Sequence, residues 1–92
     1  MTVGSVTGTF AATGDSAEVE LVGPINLSLT GTWVATVKLQ RSFDDGVTFL
    51  DVASYTANAE ELGAKVEPES GVLYRLSCSA YTSGTVTYRL SQ

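Results

Sequence analysis

The sequence predicts an all-β fold, a single antiparallel β-sandwich or jelly-roll-like domain of about eight strands spanning residues 1–92, and three observations predict it. Hydrophobicity alternates residue by residue along several stretches, which is the period of a strand with one buried face. The stretches are short and are separated by Gly, Asp, Ser and Pro, the residues of tight turns. Charged residues are 16% of the chain, below the roughly 25% of an average domain, and Ser, Thr and Gly take their place, a balance that suits strands and turns better than helices.

Residues 3–10 are expected to form the first strand and residues 17–22 the second. Gly23-Pro24 turns the chain into a third at 25–29. The clearest alternation follows at 33–41, where Trp33, Ala35, Val37 and Leu39 share one face and Thr36, Lys38 and Gln40 the other. Residues 49–55 are rich in apolar side chains on both faces, so this return strand is expected to be covered on both sides. The two make a central hairpin. Asn58-Ala59-Glu60-Glu61-Leu62 has a helix-like composition but is too short for more than about a turn before Gly63, and a short strand is expected at 64–66. At the C-terminal end, residues 72–80 and 85–91 flank Tyr81-Thr82-Ser83-Gly84 and predict a second hairpin.

The tip of the central hairpin is Ser42-Phe43-Asp44-Asp45-Gly46-Val47-Thr48-Phe49. Asp44 can accept hydrogen bonds from nearby backbone amides, Gly46 can take positive φ without steric penalty, and Ser42 and Thr48 can close the loop at its base. The spacing Ser-x-Asp-x-Gly-x-Thr-aromatic resembles the Asp-box, a hairpin motif of sialidase-type propellers and of scattered secreted and viral β-proteins. In those proteins it stabilises a turn away from the active site. No internal repeat makes this tip one blade of a propeller.

Composition also excludes. The net charge is −5, and Lys38, Arg41, Lys65, Arg75 and Arg89 are spread along the chain, so no basic stripe exists to neutralise a nucleic-acid backbone or an anionic membrane. No apolar run approaches the roughly 20 residues of a membrane span, and Met1-Thr2-Val3-Gly4-Ser5 lacks the basic and apolar regions of a signal peptide. A product made and used without secretion is expected. Cys78 is the single cysteine, so packing rather than a disulfide must hold the fold. It is read as a small buried hydrophobe.

No His is present, so neither a Ser-His-Asp nor a Cys-His arrangement can form, and no catalytic or cofactor-binding residue is assigned. Asp44, Asp45 and Asp51 are close in sequence, but two of them lie on a hairpin tip, which offers no concave wall for a substrate. Their spacing fits no EF-hand, and a calcium site there would be structural. Glu60, Glu61, Glu67 and Glu69 make an acidic patch around Pro68, read either as solvated surface or as docking charge. Trp33, Tyr74 and Tyr88 follow the core alternation. Phe43 and Tyr81, placed at the two hairpin tips, are the aromatic candidates for an exposed interface.

Asn26 through Trp33, Thr36 through Phe49, Val72 through Leu76 and Thr82 through Leu90 together resemble small tailed-phage virion proteins. Position 45 is Asp where Gly is expected, and Phe49 stands in place of Trp. The resemblance implies a non-enzymatic structural component of a phage particle: a capsid decoration or cement protein, or else a head-fibre or tail component. Its partners would be the major capsid protein or another virion protein, with homo-oligomers and no nucleic acid, membrane or cofactor. Its location would be the virion, assembled in the host cytoplasm. A carbohydrate-binding β-sandwich module is the alternative, and exposed coplanar aromatics would favour it.

Overall fold

A computed structural model describes residues 4–92. Among the described residues nine strands run in the order β1 Ser5–Phe10, β2 Gly14–Asp15, β3 Val19–Glu20, β4 Gly23–Thr30, β5 Trp33–Ser42, β6 Leu50–Tyr55, β7 Ala59–Glu67, β8 Leu73–Gly84 and β9 Val86–Ser91. All pairings are antiparallel. One sheet has the order β1-β9-β4-β7, and the other has β2-β8-β5-β6 with β3 also on β8.

β2 and β3 lie along the same side of β8, β2 against Ser77 and Cys78 and β3 against Leu73 and Tyr74. They act as one interrupted edge strand. Counted so, the chain changes layer at every connection except the β5–β6 hairpin, and the strand orders are those of a jelly roll, two sheets built from Greek-key connections. Seven of the expected strands overlap β1 and β4 through β9, while the one expected at 17–22 is a strand only at Val19–Glu20, and Gly14–Asp15 was not expected.

The core is what alternation demands. Leu27, Leu29, Val86 and Leu90 from one sheet meet Val37, Leu39, Leu76 and Tyr74 from the other, all within 2% of full burial, and Leu21, Ile25 and Val72 complete the layer. Burying each such side chain stabilises the fold by about 1.5–3 kcal/mol before entropy is charged against it. Tyr88 stacks on Phe10 with ring centroids 4.7 Å apart. A Cβ on Gly8 would lie 2.5 Å from the Tyr88 hydroxyl, so glycine at that position makes room for the ring.

Four sequence expectations are corrected. Residues 85–91 do not fold back on 72–80 as a hairpin; β8 runs through Tyr81-Thr82-Ser83 to Gly84, and β9 crosses to the other sheet to lie between β1 and β4. Gly84 makes the crossing with φ +85 against the Thr32 backbone, where a side chain would collide. The helix-like segment Asn58-Ala59-Glu60-Glu61-Leu62 lies largely in β7, because pairing with β4 outweighs its weak helix propensity. β6 is a sheet edge with half its residues exposed instead of a strand covered on both faces. Tyr81 sits within β8, half-buried against the core, and donates to the Gly84 carbonyl at 2.7 Å. The expected start of the first strand at Val3 lies outside the described residues.

Candidate functional site

The β5–β6 hairpin positions the first group of predicted residues. Ser42 ends β5 fully buried. Its hydroxyl donates to Asp44 Oδ1 at 2.7 Å and accepts from the Gly46 amide at 2.9 Å. Asp44 Oδ1 accepts in turn from the Thr48 amide at 2.8 Å, so Ser42, Asp44, Gly46 and Thr48 are tied into one network across the tip. The Ser42 hydroxyl, then the Thr48 amide, hold the Asp44 carboxyl down at about 2 against an ordinary 3.8. Asp45 and Gly46 both take positive φ, +60 and +88. That explains the expectation of glycine at position 45, since left-handed backbone is costly for a residue with a Cβ.

Two arginines brace the aromatics of this loop. The Arg41 guanidinium lies 4.7 Å from the Phe43 ring centroid, and that of Arg75 lies 3.8 Å from the Phe49 centroid. Arg75 is itself fixed by Gln40 Oε1 at 2.9 Å and by Asp15 Oδ2 at 3.4 Å. Phe43 remains 51% exposed.

Glu67 does not belong to an exposed acidic patch. It is only 2% exposed, and its carboxylate accepts from the Tyr74 hydroxyl at 2.7 Å, from Arg41 at 3.1 Å and from the Glu69 amide at 3.2 Å. Burial alone would push this carboxyl up, but the three donors outweigh burial and hold it below its ordinary value. Burial first, and the facing carboxylate second, push the Tyr74 phenol up to about 12. The other acids separate as well. Glu61 is half-buried and accepts from Tyr55 at 2.5 Å, Glu60 is exposed and accepts from Ser28, and Glu69 is exposed beyond the end of β7.

Asp51 does not converge with Asp44 and Asp45 on a ligand. It lies on β6 and is held by Gln40 at 2.7 Å and Lys38 at 3.2 Å. Among the described residues no three His, Cys, Asp or Glu side chains are grouped so as to hold a metal ion. Cys78 is buried, and burial pushes its thiol up.

What sequence reading missed lies on the open side of the sandwich, where edge β6 of one sheet faces edge β7 of the other. A groove of about 390 Å³ runs between them, lined by Leu50, Asp51 and Val52 on β6, Lys65 and Val66 on β7, and Arg41 and Tyr74. Of its lining, Leu50 and Val66 are 51% and 65% exposed, while Leu62, 89% exposed, lines a separate hollow with Asn26, Ser28 and Arg89. The available signal was Leu62-Gly63-Ala64-Lys65-Val66, a short stretch with apolar ends interrupted by Gly63 and Lys65. At the far end of the same side, the Trp33 indole donates to Asn58 at 2.6 Å, and Asn58 donates to the Gly31 carbonyl at 2.9 Å, closing the β4–β5 turn onto the start of β7. No family model matches the sequence, and neither a curated protein nor a solved structure matches it.

Proposed function

We propose that this domain is a non-enzymatic virion structural protein, a capsid decoration or cement protein that binds the capsid lattice through the β6–β7 side of the sandwich. The observation that carries the reading is the exposure of Leu50 and Val66 at one groove, with Phe43 and Val47 exposed at the adjoining hairpin. Large apolar side chains grouped on one side of a small domain mark a surface that gains by being covered by protein. The resemblance of residues 26–33, 36–49, 72–76 and 82–90 to small tailed-phage virion proteins supplies the biological setting. On a lattice, modest affinity per copy is enough because contacts repeat across the shell.

Jelly rolls serve in both capsid and lectin domains, so fold alone favours neither. Phe43 is the one exposed aromatic among the described residues and Arg41 covers one face of its ring, so no coplanar set of exposed aromatics is offered to a sugar.

Cosedimentation of the purified domain with capsid shells that lack it tests the proposal. Saturable binding at a copy number set by the shell lattice is expected, with Leu50→Asp and Val66→Asp weakening it while leaving thermal unfolding unchanged. Binding to tail tubes or fibres alone, or to immobilised glycans alone, would overturn it.

A further inference from the structure

The sandwich has four sheet edges, and three of them are blunted. β6 carries a bulge at Val52, where pairing with β5 slips between Leu39 and Gln40, and it presents Asp51. β7 carries a wider bulge opposite Asn26, with Gly63 at φ +63 and its amide taken by the Asn26 side chain at 3.1 Å. The β2–β3 edge is broken into two pieces of two residues each, among Asp15, Glu18 and Glu20. Bulges, charges and very short strands are the devices that stop a sheet edge from pairing with another chain.

β1 has none of them. Its six residues Ser-Val-Thr-Gly-Thr-Phe contain no charge and no proline, and its register against β9 runs without a shift from Ser5–Ser91 to Phe10–Val86. The direction of its free backbone groups follows from one bond. The Gln92 amide donates to the Gly4 carbonyl at 3.2 Å, so Gly4 faces β9. In an antiparallel ladder alternate residues face the same neighbour, so Val6, Gly8 and Phe10 face β9 as well. Ser5, Thr7 and Thr9 therefore direct their N–H and C=O groups outward, where among the described residues no strand meets them.

We propose that β1 is a self-association edge and that its occupant is β1 of a second copy, paired antiparallel about a two-fold axis through Thr7. In this register Thr7 faces Thr7 of the other copy and Ser5 faces Thr9, so every outward N–H and C=O of the three residues finds a partner. Because facing residues lie on the same side of a sheet, exposed Ser5, Thr7 and Thr9 form a hydroxyl row on the outer face, while Val6 and Phe10 stay on the core side. No charged side chain of one β1 opposes another. The two four-stranded sheets would join into one of eight. A different chain could match this edge, but the absence of any charge along β1, which leaves no like-charge repulsion when the strand faces itself, favours a second copy. Glu18 and Glu20 of each copy lie on the neighbouring edge, so association strengthens with added salt. The proposal is independent of the virion reading, since β1 lies on the side of the sandwich away from the β6–β7 groove.

Sedimentation equilibrium at several protein and salt concentrations tests this on the whole chain. A reversible dimer is expected, and Thr7→Pro should raise its dissociation constant about a hundredfold by removing both central N–H donors. The fold should tolerate that change, because the Thr7 N–H serves no bond within the monomer. Should Thr7→Pro fail to fold, Thr7→Cys serves instead. A short bifunctional thiol reagent should link Thr7→Cys copies efficiently and Leu62→Cys copies not at all, the native Cys78 being buried. A monomer at every concentration, a dimer unaffected by Thr7→Pro, or cross-linking through Leu62→Cys in place of Thr7→Cys would overturn the proposal.

Discussion

The Tyr74 hydroxyl donates to the Glu67 carboxylate at 2.7 Å, and this bond joins β8 of one sheet to β7 of the other. Both residues are almost completely buried, and Arg41 completes the group from β5 at 3.1 Å. A buried carboxylate keeps its charge only when donors surround it. Tyr74→Phe removes one donor while keeping the ring, so it should destabilise the fold by about 1–3 kcal/mol, as measured by urea unfolding. An unchanged midpoint would show that Arg41 and the Glu69 amide suffice.

The same pair sets an alkaline limit. The Tyr74 phenol is raised to about 12 from an ordinary 10, so the folded state holds that proton more tightly than the unfolded chain. Its contribution is complete below pH about 10 and is lost as pH rises toward about 12. Tyr74→Phe should flatten the fall in melting temperature over that window, which calorimetry against pH would show.

At the acid end Asp44, held at about 2 against an ordinary 3.8, contributes alongside Glu67 and Asp51, whose carboxyls are also held below their ordinary values. Its folded value is depressed, so the stabilisation is present above pH about 4 and is lost as pH falls toward about 2. Asp44→Ala should lower the melting temperature at neutral pH by about 5 °C and make the acid limb shallower. A variant melting like the parent at pH 7 would remove Asp44 as a stabiliser of this tip.

Left-handed backbone gives opposite outcomes at two positions. Asp45 has φ +60 on an exposed tip, so Asp45→Gly should leave stability equal or slightly higher, whereas Asp45→Val should cost about 1–2 kcal/mol. Gly84 has φ +85 against the Thr32 backbone, and Gly84→Ala should cost about 2 kcal/mol or more because neither the angle nor the space can be kept. Chemical denaturation of the three variants checks both positions.

Cys78 should resist thiol reagents in the native protein and react only on unfolding. It is buried, burial pushes its thiol up, and its sulfur points back at the Ala80 carbonyl at 3.4 Å. Rapid labelling at neutral pH without denaturant would contradict the packing described for β8.

The sandwich and the β5–β6 hairpin were legible because both are local signals: a period of two along Trp33 to Arg41, and turn residues at fixed offsets in the tip. The layer changes were not. Tyr81-Thr82-Ser83-Gly84 has the composition of a turn, but composition does not say whether the chain returns beside its own strand or passes to the opposite sheet, and contacts of Gly84 with distant Thr32 decide that. β7 was obscured because Ala, Glu and Leu are helix formers, and its strand conformation comes from pairing with β4. Glu67 was misplaced for a related reason: a carboxylate next to Pro68 reads as surface unless Tyr74 and Arg41 are known to converge on it. The apolar residues around the groove escaped notice because edge position is a property of sheet order, which no single segment carries.

The pairing of Ser5 with Ser91 puts the start of β1 and the finish of β9 at one pole of the molecule. Tethers attached ahead of β1 and behind β9 would leave the domain side by side, and tension between them would pull the two strands apart like the teeth of a zip. The rungs from Ser5–Ser91 to Phe10–Val86 would then break one after another instead of sharing the load. Pulled in this direction the domain is mechanically soft, although its thermodynamic stability rests on a core that spans both sheets. Anchored anywhere along the opposite β6–β7 side, it would feel no such peeling force.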